Sequence, residues 1–147
     1  MRTDKSVGAT IFKVIDGVDH VLLVKKVMYD TWEIPKGHPE DRDEDIEDSV
    51  RREIKEETGY TQITLNGVAD IVTYEAEKNG EVFNKEVTFY MGEHHGEEVP
   101  VQELDDDEDE QGMVVGWHPV DGALELIGFP PFIQALESAI NIRNYNE

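Results

Sequence analysis

The chain has no cysteine in its 147 residues. That excludes a disulfide scaffold, a thiol nucleophile and any zinc centre with thiolate ligands. Positive charge is scarce. Thirteen Lys and Arg stand against 34 Asp and Glu, a formal net charge of -21. Such a chain repels phosphate, so it is not expected to bind DNA, RNA or an anionic membrane unaided. A phosphate substrate that arrives with divalent metal remains admissible. Long apolar runs are also missing: residues 7–15 are interrupted by Lys13 and are too short to span a bilayer. The expectation is a soluble, cytoplasmic protein forming one domain over residues 1–147. Neither a Walker-type phosphate loop nor a dinucleotide fingerprint is present.

What is abundant is acid, and it is unevenly placed. Residues 40–57 carry a net charge of -6 and residues 93–110 a net charge of -10. Most of these carboxylates read as a solvated surface or an adaptation to salt. The run at residues 105–110 is the one low-complexity stretch.

Residues 7–15, rich in Val, Ile and Phe, read as a strand. Asp16 and Gly17 turn the chain, and residues 21–27 return as a second strand. Pro35, Gly37 and Pro39 mark a loop, and a helix follows from about residue 44 to Thr58, with Gly59 at its C-terminal cap. Residues 63–74 and 82–91 form two strands around Asn79 and Gly80, a hairpin turn signal. A short strand at 113–117 precedes a C-terminal helix that begins at Pro130 and Pro131. The order is mixed α+β, not a regular βαβ alternation.

The first helix has an unusual distribution of charge. With Ile46 at zero, Val50 and Ile54 fall at about 40° and 80°, which predicts the buried stripe. Glu53, Glu56 and Glu57 fall at about 340°, 280° and 20°, against or within that stripe. Carboxylates there are costly unless compensated, and Arg52 alone does not balance three. A hard divalent cation with oxygen ligands does. The alternative is an amphipathic helix with incidental acids. A calcium loop begun at Asp41 is excluded, since its sixth position is Ile46 and its twelfth is Arg52.

These residues resemble the Nudix hydrolase family, whose pattern is G-x5-E-x7-R-E-U-x-E-E-x-G-U, with U an aliphatic or aromatic residue. Arg52, Glu53, Ile54, Glu56, Glu57, Gly59 and Tyr60 match its second half, and seven residues separate Glu44 from Arg52 as the pattern requires. Gly37 is followed by six residues before Glu44 where the pattern has five, which reads as a one-residue insertion in the loop before the helix. The resemblance implies an α/β/α sandwich, a mixed sheet flanked by helices. It implies Mg2+, with Mn2+ as a substitute, held by Glu53, Glu56 and Glu57 and by the Gly37 carbonyl. One Glu would accept a proton from water. Arg52 would orient the carboxylates through a bidentate ion pair. Glu44 resembles the early Glu of the box, an Arg partner and structural. Glu108 and Glu110, in the second acidic block, are candidates for a further metal ligand or base.

Trp32, Pro35, Lys36, Gly37 and His38 form a W-x-x-P-K-G-H lead-in, which is similar to the branch containing asymmetric diadenosine tetraphosphate hydrolases. Some RNA and inositol pyrophosphate hydrolases share it. The resemblance assigns phosphate contacts to Lys36 and to Lys85, with His38 as a further donor. Tyr74 and Phe83 are candidates for stacking on a base, against the plainer reading of sheet packing. His94 and His95 read as surface histidines. Trp117, His118 and Pro119 resemble the segment that enters the penultimate helix. The expected partner is a small nucleotide with divalent metal, and the oligomeric state is left open. Two alternatives remain. One is a pyrophosphohydrolase of nucleoside triphosphates or 5′-triphosphorylated RNA. The other is a Nudix-like binding domain without catalysis.

Overall fold

A computed structural model describes residues 1–27, 30–98 and 113–145. Six strands and three helices follow in the order β1 (Thr3–Ile15), β2 (Val18–Lys26), β3 (Lys36–Gly37), α1 (Ile46–Thr58), β4 (Ile63–Lys78), β5 (Glu81–His94), β6 (Met113–Pro119), α2 (Val120–Leu126) and α3 (Pro130–Tyr145). The strands lie in the order β4-β5-β1-β2-β6, with β3 paired to β1. β1 and β5 run parallel, and the other pairs are antiparallel. The sheet is therefore mixed, as expected.

β1 sits in the middle because it is apolar on both faces. Its residues from Ser6 to Phe12 are all buried, as befits a strand covered on both sides. On one face Val7, Ala9, Ile11 and Leu22 pack against Val50 and Ile54 of α1. On the other, Phe12, Leu23, Val87 and Phe89 pack against Phe132 and Leu136 of α3, with Ala123 of α2. The result is the helix–sheet–helix sandwich.

The hairpin between β4 and β5 turns at Asn79 and Gly80, both left-handed at φ 53° and 80°, the twist that two-residue hairpins require. β1 changes partner along its length. Its C-terminal end pairs with β2, from Phe12↔Val21 onward, while Val7 and Gly8 pair with Gly37 and Lys36 of β3. That change of partner brings residues 36–38 against the middle of the sheet.

Two elements were not expected from the residues alone. β3 has only two residues, and its stretch reads as loop. α2 has seven residues and includes Gly122; only the family resemblance implied it. Ile46 also departs from expectation. It stands 44% exposed in the first turn of α1, while Val50 and Ile54 are fully buried. The buried stripe thus lies further toward Glu53 and Glu57. His94 is a second departure. Side chains alternate along β5, and His94 turns inward at 4% exposure, whereas His95 faces solvent.

Candidate active site

α1 presents the acidic arc. Asp45 caps its first turn, accepting from the Asp48 N–H at 2.8 Å, and Gly59 closes it in a left-handed conformation, its N–H donating to the Lys55 carbonyl at 2.8 Å. Between these caps Glu53 and Glu57 are buried, at 7% and 8% exposure. Glu56 lies at the edge of the same arc. Buried carboxylates need partners. Glu53 Oε1 accepts from Arg52 Nη1 at 2.8 Å, and Glu56 accepts from the same nitrogen at 3.2 Å. Arg42 adds a second cation, Nη2 to Glu56 Oε1 at 3.2 Å. Glu57 Oε1 accepts the backbone N–H of Lys36 at 2.9 Å. This last bond ties α1 directly to β3.

Gly37 meets Glu53. A Cβ at Gly37 would lie 2.0 Å from Glu53 Oε2, so the carboxylate fills the place a side chain would take.

Arg52 is anchored from the loop before the helix, but by Asp43. Its Nε donates to Asp43 Oδ1 at 2.9 Å and its Nη2 to Oδ2 at 3.0 Å, a bidentate pair. Asp43 Oδ2 also accepts from Ser49 Oγ at 2.7 Å and from the Glu40 N–H at 2.8 Å. Arg52, and then Ser49, hold the Asp43 carboxyl well below the usual carboxylate range. Asp43 in turn holds the guanidinium protonated, with Glu53 and Glu56 adding to it. Glu44, the expected partner, is exposed. The sequence did carry a signal: a gap of five residues after Gly37 leads to Asp43, and a gap of seven before Arg52 leads to Glu44. The structure resolves the conflict in favour of the first count. The extra residue therefore falls between Asp43 and Arg52.

The lead-in strand is held by backbone bonds. Glu33 exchanges bonds with Val24 at 2.7 and 2.9 Å, and the Pro35 carbonyl accepts from Ala9. Trp32 packs edge-on to His118 at 4.4 Å. Lys36 places its ammonium 5.6 Å from the Phe132 ring centre. A cleft of about 230 Å³ opens beside Glu57, lined also by Ser6, Glu33, Lys36, Gly37 and His38. Ser6 Oγ is buried there without a hydrogen-bond partner among the described residues. A larger cleft of about 640 Å³ lies at the far end of β1, lined by Ile15, Glu93 and His95, with no residue of the acidic arc. Size does not identify the site, since the acidic chemistry is at the smaller cleft.

Lys85, Tyr74 and His38 also come together. Lys85 of β5 is the register partner of Tyr74 in β4 and of Asp4 in β1. Its Nζ lies 2.5 Å from Asp4 Oδ2 and 3.2 Å from His38 Nε2. Tyr74 and Lys85 line a cleft of about 300 Å³ with Thr3 and Asn84. Tyr74 also packs edge-on to Phe129 at 4.8 Å. Burial, and then the charges of Glu33 and Asp4, keep its phenol neutral. Phe83 is buried in the sheet under the Arg2 guanidinium, which is the packing role.

A family model of the NUDIX domain matches residues 4–136. The chain belongs to the Nudix family. It is a Nudix-type pyrophosphohydrolase. Among solved structures it is similar to a C. elegans Ap4A hydrolase binary complex, with TM-score 0.73, 22% identity, and 96% of this chain and 98% of that one covered. It is similar also to an E. coli dihydroneopterin triphosphate pyrophosphohydrolase, with TM-score 0.70, 20% identity and coverage of 93% and 95%. A third is the NUDIX domain of Shewanella oneidensis NrtR complexed with ADP ribose, with TM-score 0.68, 18% identity and coverage of 97% and 90%. A search of curated protein sequences found no match.

Nudix hydrolases use divalent metal. As the side chains stand, no three acidic or His side chains are gathered around one point among the described residues. The donor set nevertheless suits a hard cation: oxygen only, two buried carboxylates, and a third paired with two guanidinium groups. Glu108 and Glu110 lie outside the described residues. His94, read as a surface residue, is instead a structural group. Its Nε2 lies 2.9 Å from Glu98 Oε1 and its ring 4.7 Å from Tyr60. Burial lowers its pKa. Among the described residues no helix is long and apolar enough to cross a membrane.

Proposed function

We propose that the Nudix domain acts as one unit over residues 1–147 and hydrolyses diadenosine polyphosphates, above all diadenosine tetraphosphate to ATP and AMP. The observation that supports this reading is the adjacency of Lys85, His38 and Tyr74, beside the cleft that holds Glu57 and Lys36. Lys36 and His38 thus line the cleft beside Glu57, and His38 links that cleft to the row of Lys85 and Tyr74. Glu53, Glu56 and Glu57, with the Gly37 carbonyl, are the groups that would hold Mg2+, or Mn2+ in its place. Such an ion neutralises phosphate charge and acidifies attached water. Lys36, Lys85 and His38 donate to phosphate oxygens, so a polyanion is tolerated on an acidic protein. Tyr74 is the ring on which a base would stack. One Glu of the arc takes the proton from water as its oxygen bonds to phosphorus and the bridging P–O bond breaks.

The test is hydrolysis of a dinucleotide and nucleotide panel with Mg2+ and Mn2+, in 18O-labelled water. ATP and AMP from diadenosine tetraphosphate are expected. Nucleoside monophosphate and pyrophosphate from a triphosphate would instead support the alternative pyrophosphohydrolase. Nucleotide binding without any turnover would indicate a non-catalytic domain.

A further inference from the structure

Asp4 has no place in the Nudix box or in the W-x-x-P-K-G-H lead-in, yet one of its carboxylate oxygens carries two proposed substrate-binding side chains. Asp4 Oδ2 lies 2.5 Å from Lys85 Nζ and 2.9 Å from His38 Nε2, and those two nitrogens are 3.2 Å apart. The three groups come from parts of the chain that are distant in sequence. Asp4 and Lys85 face each other across the parallel β1–β5 pair. His38 arrives through β3, which β1 itself holds in register. Tyr74 continues the row on β4. The Lys85 side chain is 12% exposed and that of Asp4 24%, so the pair is sheltered at the bottom of the row while His38 stands at its mouth.

We propose that Asp4 is a positioning residue that fixes Lys85 and His38 as a preorganised phosphate clamp. The inference rests on the reading of Lys85 as a phosphate contact. A lysine has a long, flexible stem whose freedom is lost on binding. Asp4 has already removed that freedom, so less is lost when substrate arrives. An ammonium has three N–H donors, so one given to Asp4 leaves donors for phosphate oxygens. The negative charge of Asp4 also offsets the mutual repulsion of two donors drawn to one anion.

The experiment is a double-mutant cycle with Asp4→Ala, Lys85→Met and the combination. KM and kcat are read on diadenosine tetraphosphate with Mg2+, and Kd for ATP with Mg2+ is read by calorimetry. Asp4→Ala should raise KM and Kd about tenfold, the size of effect seen when an orienting partner is lost. It should leave kcat within about twofold. In the Lys85→Met background it should add clearly less, only the part carried through His38, and Asp4→Asn, which keeps a hydrogen-bond acceptor, should recover part of the affinity. Asp4→Asn also serves if Asp4→Ala fails to fold. If Lys85→Met leaves both KM and Kd unchanged, the phosphate reading of Lys85 falls, and the clamp with it. If Lys85→Met weakens binding but Asp4→Ala does not, or weakens it equally in both backgrounds, Asp4 positions nothing. Tighter binding by Asp4→Ala would show a carboxylate that competes with phosphate, which also overturns the proposal. Should the chain not cleave the dinucleotide at all, Kd for ATP still decides the role of Asp4.

Discussion

At Gly37 the lack of a side chain is what the neighbouring carboxylate requires. A methyl group there would sit 2.0 Å from Glu53 Oε2, well inside contact distance, so either Glu53 or the β3 backbone must move. Gly37→Ala should therefore lower kcat by at least about tenfold, since the clash is relieved only by a displacement of about 1 Å or more, which is costly for chemistry, and it should lower the melting temperature as well. Asp43 makes a sharper comparison. Asp43→Asn removes the charge that holds Arg52, and orienting partners of this kind are worth about 10–100-fold in activity. Glu44→Gln, on an exposed neighbour, should leave activity within about twofold. Steady-state rates of the two variants side by side decide which acid is the Arg partner. Asp4, Arg42 and Asp43 were the residues that motif reading missed. Asp43 was hidden by a one-residue shift, whereas Asp4 and Arg42 act through contacts across long stretches of sequence, which no local pattern reports.

Elements with a local code were legible. α1 is announced by its periodicity, its cap residues and Gly59, and the β4–β5 hairpin by Asn79 and Gly80. The exposure of Ile46 shows where such reading stops. A first-turn residue obeys the wheel only if the helix end is covered, and here it is not. β3 was not legible because two residues carry no period. It exists because β1 pairs with it and because Glu57 accepts the Lys36 N–H. α2 is short and lacks a side-chain cap. The caps of α1 should be measurable. Asp45→Ala removes the acceptor of the Asp48 N–H and should cost about 1 kcal/mol of stability, read as a lower midpoint in a urea titration with unchanged slope.

Over the whole molecule, charge governs the response to pH. Burial pushes the Asp4 carboxyl up, but Lys85 and His38 outweigh it and bring it to about 2. Burial likewise opposes, and the Gln62 and Thr61 N–H groups outweigh it, bringing Glu98 to about 2. Folded values below the ordinary 3.8 and 4.5 mean stability that is present above those values and lost as pH falls through them toward 2. His94 and His118 are lowered by burial from 6.5, so the unfolded chain takes protons first and stability begins to fall below that value. Relief of the -21 net charge acts in the opposite direction. At about 1 M salt that repulsion is screened within about 3 Å, and the melting temperature should then decrease steadily from pH 7 to pH 3. A flat or rising profile at high salt would contradict these assignments.

The same excess of acid sets the functional question. An acidic chain that hydrolyses polyphosphates needs its carboxylates for chemistry, not only for solubility. The most direct measurement is the initial rate of ATP and AMP release from diadenosine tetraphosphate with Mg2+, for the unaltered chain and for Glu57→Gln. Mg2+-dependent release of both products is expected, reduced on the order of 10²-fold or more in the variant, with the fold intact. Equal rates in the two proteins, or release that persists without divalent metal, would contradict that expectation.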